Sequence, residues 1–115
     1  MTTQRQARVA REVIHAVSNL VETRVSDPRI NLVTFTTAKI SPDLKHIRIY
    51  YSAMGSEAEK KECATGLDRA KGYLRRELGR ALRLRFTPAL EFEPDDSAER
   101  ADRISRLLAA DNAEE

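Results

Sequence analysis

One cysteine, two histidines, four glycines and few aromatics among 115 residues leave this chain poorly supplied for several common chemistries. A lone Cys63 excludes an internal disulfide and fits a reducing compartment. It lies four residues before Leu67 on an apolar stripe, the setting of a core thiol rather than a nucleophile. Neither His15 nor His46 stands at ligand spacing from Cys63 or from a carboxylate cluster, so no metal site is expected. Gly55, Gly66, Gly72 and Gly79 form no phosphate-cradling loop, and no cofactor is expected. Glu57, Glu59 and Glu62 gather where a helix starts, which the macrodipole favours without catalysis. Ser41 and Ser52 have no base within sequence reach, so the chain reads as no enzyme. No apolar run is long enough to cross a membrane, and residues 1–11 are polar and basic without a signal-peptide core. A cytoplasmic protein with no membrane partner is the expectation. No aromatic-studded ribonucleoprotein motif is present. Tyr50 is placed to stack a base or, equally, to rim a neighbouring strand.

What the chain does have is arranged positive charge. Residues 69–85 carry Arg69, Lys71, Arg75, Arg76, Arg80, Arg83 and Arg85 against one acid, Glu77. On a helix, Leu67, Ala70, Leu74, Leu78 and Ala81 share one stripe, while Arg69, Arg76, Arg80 and Arg83 share the opposite one. An outward row of guanidinium groups suits a phosphate backbone. A solvated charged face fits the same pattern, and the run alone does not choose. Charge is also uneven along the chain. Up to Leu90 there are 17 Lys or Arg and 9 Asp or Glu, and from Glu91 onward 3 Arg and 9 acids, so +8 and −6 make the overall +2. A basic body with an acidic end points to a polyanion-binding body. The acidic end reads as solvating, as a shield for the basic face, or as a contact for a basic partner.

Hydrophobic periodicity organises the body. Val9, Val13, Val17, Leu20, Val21 and Val25 predict a first helix over residues 4–24 or 4–26, stopped by Asp27-Pro28. Arg8 and Arg11 lie off its apolar arc. Residues 30–40 are rich in β-branched side chains and read as a strand. Ser41-Pro42-Asp43 reads as a turn into an alternating strand over residues 46–52, giving an antiparallel hairpin. Ser56 with Glu59 forms a capping box opening a helical region to Leu82. As one rod that region would measure ~39 Å, against a diameter of ~35 Å for a spherical domain of this size. A bend at Gly72 is therefore expected. Thr87-Pro88 ends the region, and Leu90 and Phe92 mark a third strand, parallel to the second by the right-handed crossover rule. A short helix near Asp96-Ser97 and a disordered 109–115 complete the reading.

The strings Asp27-Pro28-Arg29-Ile30, Ser41-Pro42-Asp43-Leu44, Tyr50-Tyr51-Ser52, Ala70-Lys71-Gly72, Leu74-Arg75-Arg76-Glu77-Leu78 and Leu84-Arg85-Phe86-Thr87-Pro88-Ala89-Leu90 occur in order. Together they resemble the bacterial ribosome-binding factor A family, from about Arg5 to Leu108. The resemblance implies an α+β, type II K-homology-like domain over residues 4–94, in the order α-β-β-α-kink-α-β, with a three-stranded mixed sheet packed against helices. Residues 95–115 form an acidic extension. It also implies a monomeric, non-enzymatic assembly factor that binds the immature 30S ribosomal subunit. Its partners would be that subunit, its rRNA and assembly GTPases that release it. It would assist late rRNA maturation, including 5′-end processing, and support growth in the cold. In this family an Ala-x-Gly kink replaces the usual Gly-x-x-Gly loop, matched here by Ala70-Lys71-Gly72. Candidate RNA contacts are Lys71 at the kink and Arg75, Arg76, Arg80 and Arg83 after it. Arg8, Arg11, Lys39, Lys45 and Arg48 rank second. A protein-binding adaptor using the same basic face on an acidic partner is the alternative.

Overall fold

A computed structural model describes residues 3–31 and 33–95. The elements are α1 (Gln4–Arg24), a 3-10 turn (Pro28–Ile30), β1 (Val33–Ile40), β2 (His46–Ala53), α2 (Glu57–Ala81) and β3 (Ala89–Pro94). The strands form one sheet in the order β1-β2-β3. β1 and β2 pair antiparallel and β2 and β3 parallel, as the sequence predicts. Both helices cover one face of this sheet. The expected helix near Asp96 and the 109–115 tail lie outside the described residues.

α1 begins with a reciprocal cap that the hydrophobic pattern does not announce. The Thr3 hydroxyl accepts from Gln6 N at 3.1 Å, and Gln6 Oε1 accepts from Thr3 N at 2.8 Å. The same Gln6 side chain is buried and donates Nε2 to the Ile40 carbonyl at 2.8 Å, tying the start of α1 to the end of β1. Val9, Val13, Val17 and Leu20 then enter the core. α2 opens with the predicted box: Ser56 Oγ accepts from Glu59 N at 3.2 Å, and Glu59 Oε1 accepts from Ser56 N at 3.0 Å. Cys63, Leu67, Leu74 and Leu78 are buried along one side, Ala70 is half-buried, and Ala81, expected on the stripe, is exposed. Each buried leucine is worth ~1.5–3 kcal/mol over its exposed state.

β1 starts at Val33 rather than Ile30, because Pro28–Ile30 is taken by the 3-10 turn. Asp27 caps that turn, accepting from Arg29 N at 3.0 Å and from the Arg29 guanidinium at 2.6 Å. The hydrogen-bonded Arg29 guanidinium holds the Asp27 carboxyl down at about 2. Within β1 the register shifts between Phe35 and Thr37. This bulge changes the phase of the strand, so Phe35, Ala38 and Ile40 all face the core. Across the sheet Ile40 meets Ile47, Ala38 meets Ile49, Ile47 meets Leu90, and Ile49 meets Phe92. Thr34, Lys39, His46, Arg48 and Glu91 stand on the exposed side.

The expected break at Ala70-Lys71-Gly72 is absent: α2 runs as one helix of 25 residues through all three. The reason is shape. The domain is flattened, 58 × 36 × 18 Å, so a helix of ~38 Å fits along it unbroken. The glycine that matters in α2 is Gly66. A Cβ there would lie 2.9 Å from Ile30 Cγ2, 3.2 Å from Asp27 Oδ2 and 3.3 Å from Arg29 Cβ, whereas at Gly72 it would meet only Arg76 Nη1 at 3.8 Å. Gly66 lets α2 sit directly on the 3-10 turn, and Ile30 beneath it is 1% exposed with no room to retreat.

The two glycines are therefore expected to respond with opposite sign in denaturant unfolding. Gly72→Ala should stabilise by about 0.5–1 kcal/mol through helix propensity. Gly66→Ala should destabilise by roughly 1–3 kcal/mol through overpacking. A destabilised Gly72→Ala would mean that a non-helical backbone is needed there after all.

Candidate nucleic-acid interface

The apolar stripe of α2 fixes what its other side presents. With Leu74 and Leu78 turned inward, Arg76 and Arg80 project into solvent one turn apart. The helix then ends in a way that returns more charge to the same place. Leu82 N bonds Leu78 O at 3.0 Å, Arg83 N bonds Arg80 O at 3.2 Å and Leu84 N bonds Gly79 O at 3.0 Å. This is a Schellman closure, whose left-handed position is usually glycine. Here it is Arg83, with φ 51°. The reversal folds the chain back along the helix, so Arg76, Arg80, Arg83 and Arg85 line one shallow depression with Gly79 and Thr87. The negative end of the helix dipole partly offsets the crowding of cations there.

The arginines differ in what already holds them. Arg80 lies 3.5 Å from Glu77, an exposed pair of little strength. Arg75, predicted as a contact, donates Nε to the Pro88 carbonyl at 2.8 Å and so clamps α2 to the start of β3. Lys71 lies 3.5 Å from Asp68 and stands more than a turn before the depression. Arg85 belongs to the basic run but not to the contacts expected from helical spacing, since only the chain reversal brings it to Arg76 and Arg80.

The second-rank candidates fall in three places. Lys45, in the β1–β2 turn, reaches the same end of the molecule: its carbonyl accepts from Ala89 N at 2.7 Å and its Nζ lies 5.1 Å from the Phe86 ring centre. Arg48 is on the exposed sheet face beside Lys39 and Glu91 and pairs with Glu93 at 3.5 Å, so acids already offset it. Lys39 Nζ sits 5.7 Å from the centre of the half-buried Tyr50 ring on that face. Arg8 and Arg11 are exposed on α1, and Arg11 lines a separate groove between α1 and β1 with Ile14, His15 and Thr37. Among the described residues no group of three His, Cys, Asp or Glu side chains is placed to hold a metal ion. Cys63 is buried, and burial raises its thiol pKa, in keeping with a core thiol. No described helix is long and apolar enough to cross a membrane.

The sequence profile of the family Ribosome-binding factor A matches residues 5–108. The chain belongs to this family. A ribosome-binding factor A from Dictyoglomus thermophilum is 47% identical over 106 residues, covering 91% of this chain and 88% of that protein. The crystal structure of ribosome-binding factor A from Thermus thermophilus superposes with a TM-score of 0.69 at 28% identity, covering 77% of this chain and 94% of that one. A homology model of the Thermus thermophilus factor, fitted into a cryo-EM map of its complex with 30S, matches with a TM-score of 0.65 at 27% identity, covering 79% of this chain and 96% of that one. This is a family of non-enzymatic ribosome-binding factors, and its α+β fold of helices and a three-stranded mixed sheet is the one described above.

Arg83 holds a conformation that an L side chain adopts at a cost of ~1–2 kcal/mol. Arg83→Gly should therefore raise unfolding stability by roughly 1 kcal/mol, whereas Arg83→Ala should not. A destabilised glycine variant would show that the arginine side chain itself holds the closure.

Proposed function

We propose that the protein binds the immature 30S ribosomal subunit and acts there as an assembly factor in late maturation of the small-subunit rRNA, including processing of its 5′ end. The convergence of Arg76, Arg80, Arg83 and Arg85 in one depression, with Glu77 the only acid in that stretch, carries this reading. Guanidinium groups so placed match phosphate oxygens in charge and in bidentate geometry. The relative fitted into a 30S complex supports the particle as partner. Arg83 and Arg85 join Arg76 and Arg80 as the main contacts, with Lys45, Lys71 and Arg75 at the margin. Arg8, Arg11 and Arg48 serve as outlying charges. Release by an assembly GTPase belongs to the same reading.

The test is cosedimentation with purified 30S particles across a salt series, using Arg76→Glu with Arg80→Glu. Both side chains are exposed, so the thermal transition should be unchanged. Removing one phosphate partner should flatten the plot of log affinity against log salt by about 0.9. A folded double variant with wild-type affinity and slope would remove these arginines from the interface. Wild-type protein that binds no ribosomal particle would favour an adaptor for an acidic protein.

A further inference from the structure

Phe86 is the one phenylalanine or tyrosine ring among the described residues left widely open to solvent, at 53% exposure. Phe35 and Tyr51 are buried, Phe35 packs on Phe92 at 6.0 Å, and Tyr50 and Tyr73 are half-buried. Phe86 does not stand on a loose loop. The segment carrying it is fixed before by the Leu84 N to Gly79 O bond and after by buried Pro88, whose carbonyl accepts from Arg75. Two cations attend the ring: Lys45 Nζ at 5.1 Å and Arg85 Cζ at 5.5 Å from its centre. Both are exposed, and neither pairs with a carboxylate among the described residues. A half-exposed ring, covered by two cations that pair with no carboxylate among the described residues, fits a ligand with a flat π surface between negative charges, whose phosphates draw the cations aside as the flat surface takes their place on the ring. A nucleotide within a single strand has that form, and a duplex, whose base faces are already stacked, does not.

We propose that Phe86 is a stacking platform for one unpaired nucleobase of an RNA strand, with Lys45 and Arg85 taking the phosphates that flank it. The proposal rests on the reading of the protein as an rRNA binder and names the kind of RNA it takes. Arg85 also lines the arginine depression, so a strand stacked on Phe86 continues onto Arg80 and Arg76. The platform therefore selects a junction where an unpaired base adjoins a run of phosphates.

The chain has no tryptophan, so Phe86→Trp introduces a single indole reporter at the site. The probes are a single-stranded RNA of about 12 nucleotides, the same RNA annealed to its complement, and heparin as a polyanion without bases. Single-stranded RNA should quench the indole, whereas heparin and the duplex should not. Phe86→Ala, with an unchanged thermal transition, should weaken single-strand binding by about 5- to 150-fold and leave heparin binding unaltered. An unquenched indole, or an alanine variant with wild-type RNA affinity, overturns the proposal. An alanine variant that keeps RNA affinity but loses 30S affinity places a protein component on the ring, and overturns it too. Dependence of 30S binding on Arg76 and Arg80 is read separately, so that assignment survives failure here. Wild-type protein that binds neither RNA nor 30S particles overturns both.

Discussion

Burial of Leu67, Leu74 and Leu78 along one side of α2 is the constraint to which the rest of the molecule answers. All three are at 0% exposure, and together they commit several kcal/mol to one rotation of the helix about its axis. The ion pairs along its surface, such as Lys71 with Asp68 and Arg80 with Glu77, are each worth ~0–1 kcal/mol and cannot compete. The core therefore decides which residues face outward. Arginines at positions 76 and 80 are held on display by leucines buried on the other side of the helix.

Gathering like charges is unfavourable in the free protein, and the fold supplies what offsets it. The Schellman closure forces Arg83 and Arg85 back beside Arg76 and Arg80, at the cost of a left-handed arginine. Arg75 meanwhile commits its guanidinium to the Pro88 carbonyl and fixes the angle between α2 and β3. Two neighbouring arginines thus have different work, one inside the scaffold and one outside it. Lys45 arrives from a different element because its carbonyl anchors the first residue of β3. The basic end of the molecule is assembled from two segments distant in sequence, the β1–β2 turn and the run from the end of α2 into β3.

Much of this is legible in the residues alone because its causes are local. The α1 stop at Asp27-Pro28, the Ser56/Glu59 cap, the alternation of β2 and the inward stripe of α2 each depend on neighbours a few positions away. The parallel β3 follows from a chirality rule rather than a contact. What stays hidden depends on partners far along the chain. Nothing near Gly66 announces Ile30, so the glycine that packs is overlooked in favour of Gly72, where a Cβ would make only an ordinary contact with the Arg76 side chain. The break expected at Gly72 comes from treating the domain as a sphere. The bulge at Thr36 follows from the pairing of β1 with β2, and the Thr3/Gln6 cap is hidden because glutamine also reads as an ordinary polar residue. In the proposed site, helical spacing places Arg76 and Arg80 together, whereas Arg83, expected on the same stripe, lies past the helix end and joins them through the closure. Arg85 and Phe86 need the chain reversal, which an arginine in the glycine position conceals.

If the leucines of α2 set the display, RNA meets the end of that helix and not the exposed face of the sheet. Site-specific photocrosslinking to purified 30S particles separates the two surfaces. A photoreactive side chain is placed at Arg80 in one sample and at Glu91, on the open sheet face, in another, and the crosslinked nucleotides are mapped. Crosslinks to rRNA are expected from position 80 and none from position 91. Crosslinks from position 91 alone would place the interface on the sheet and refute the role given to the helix end.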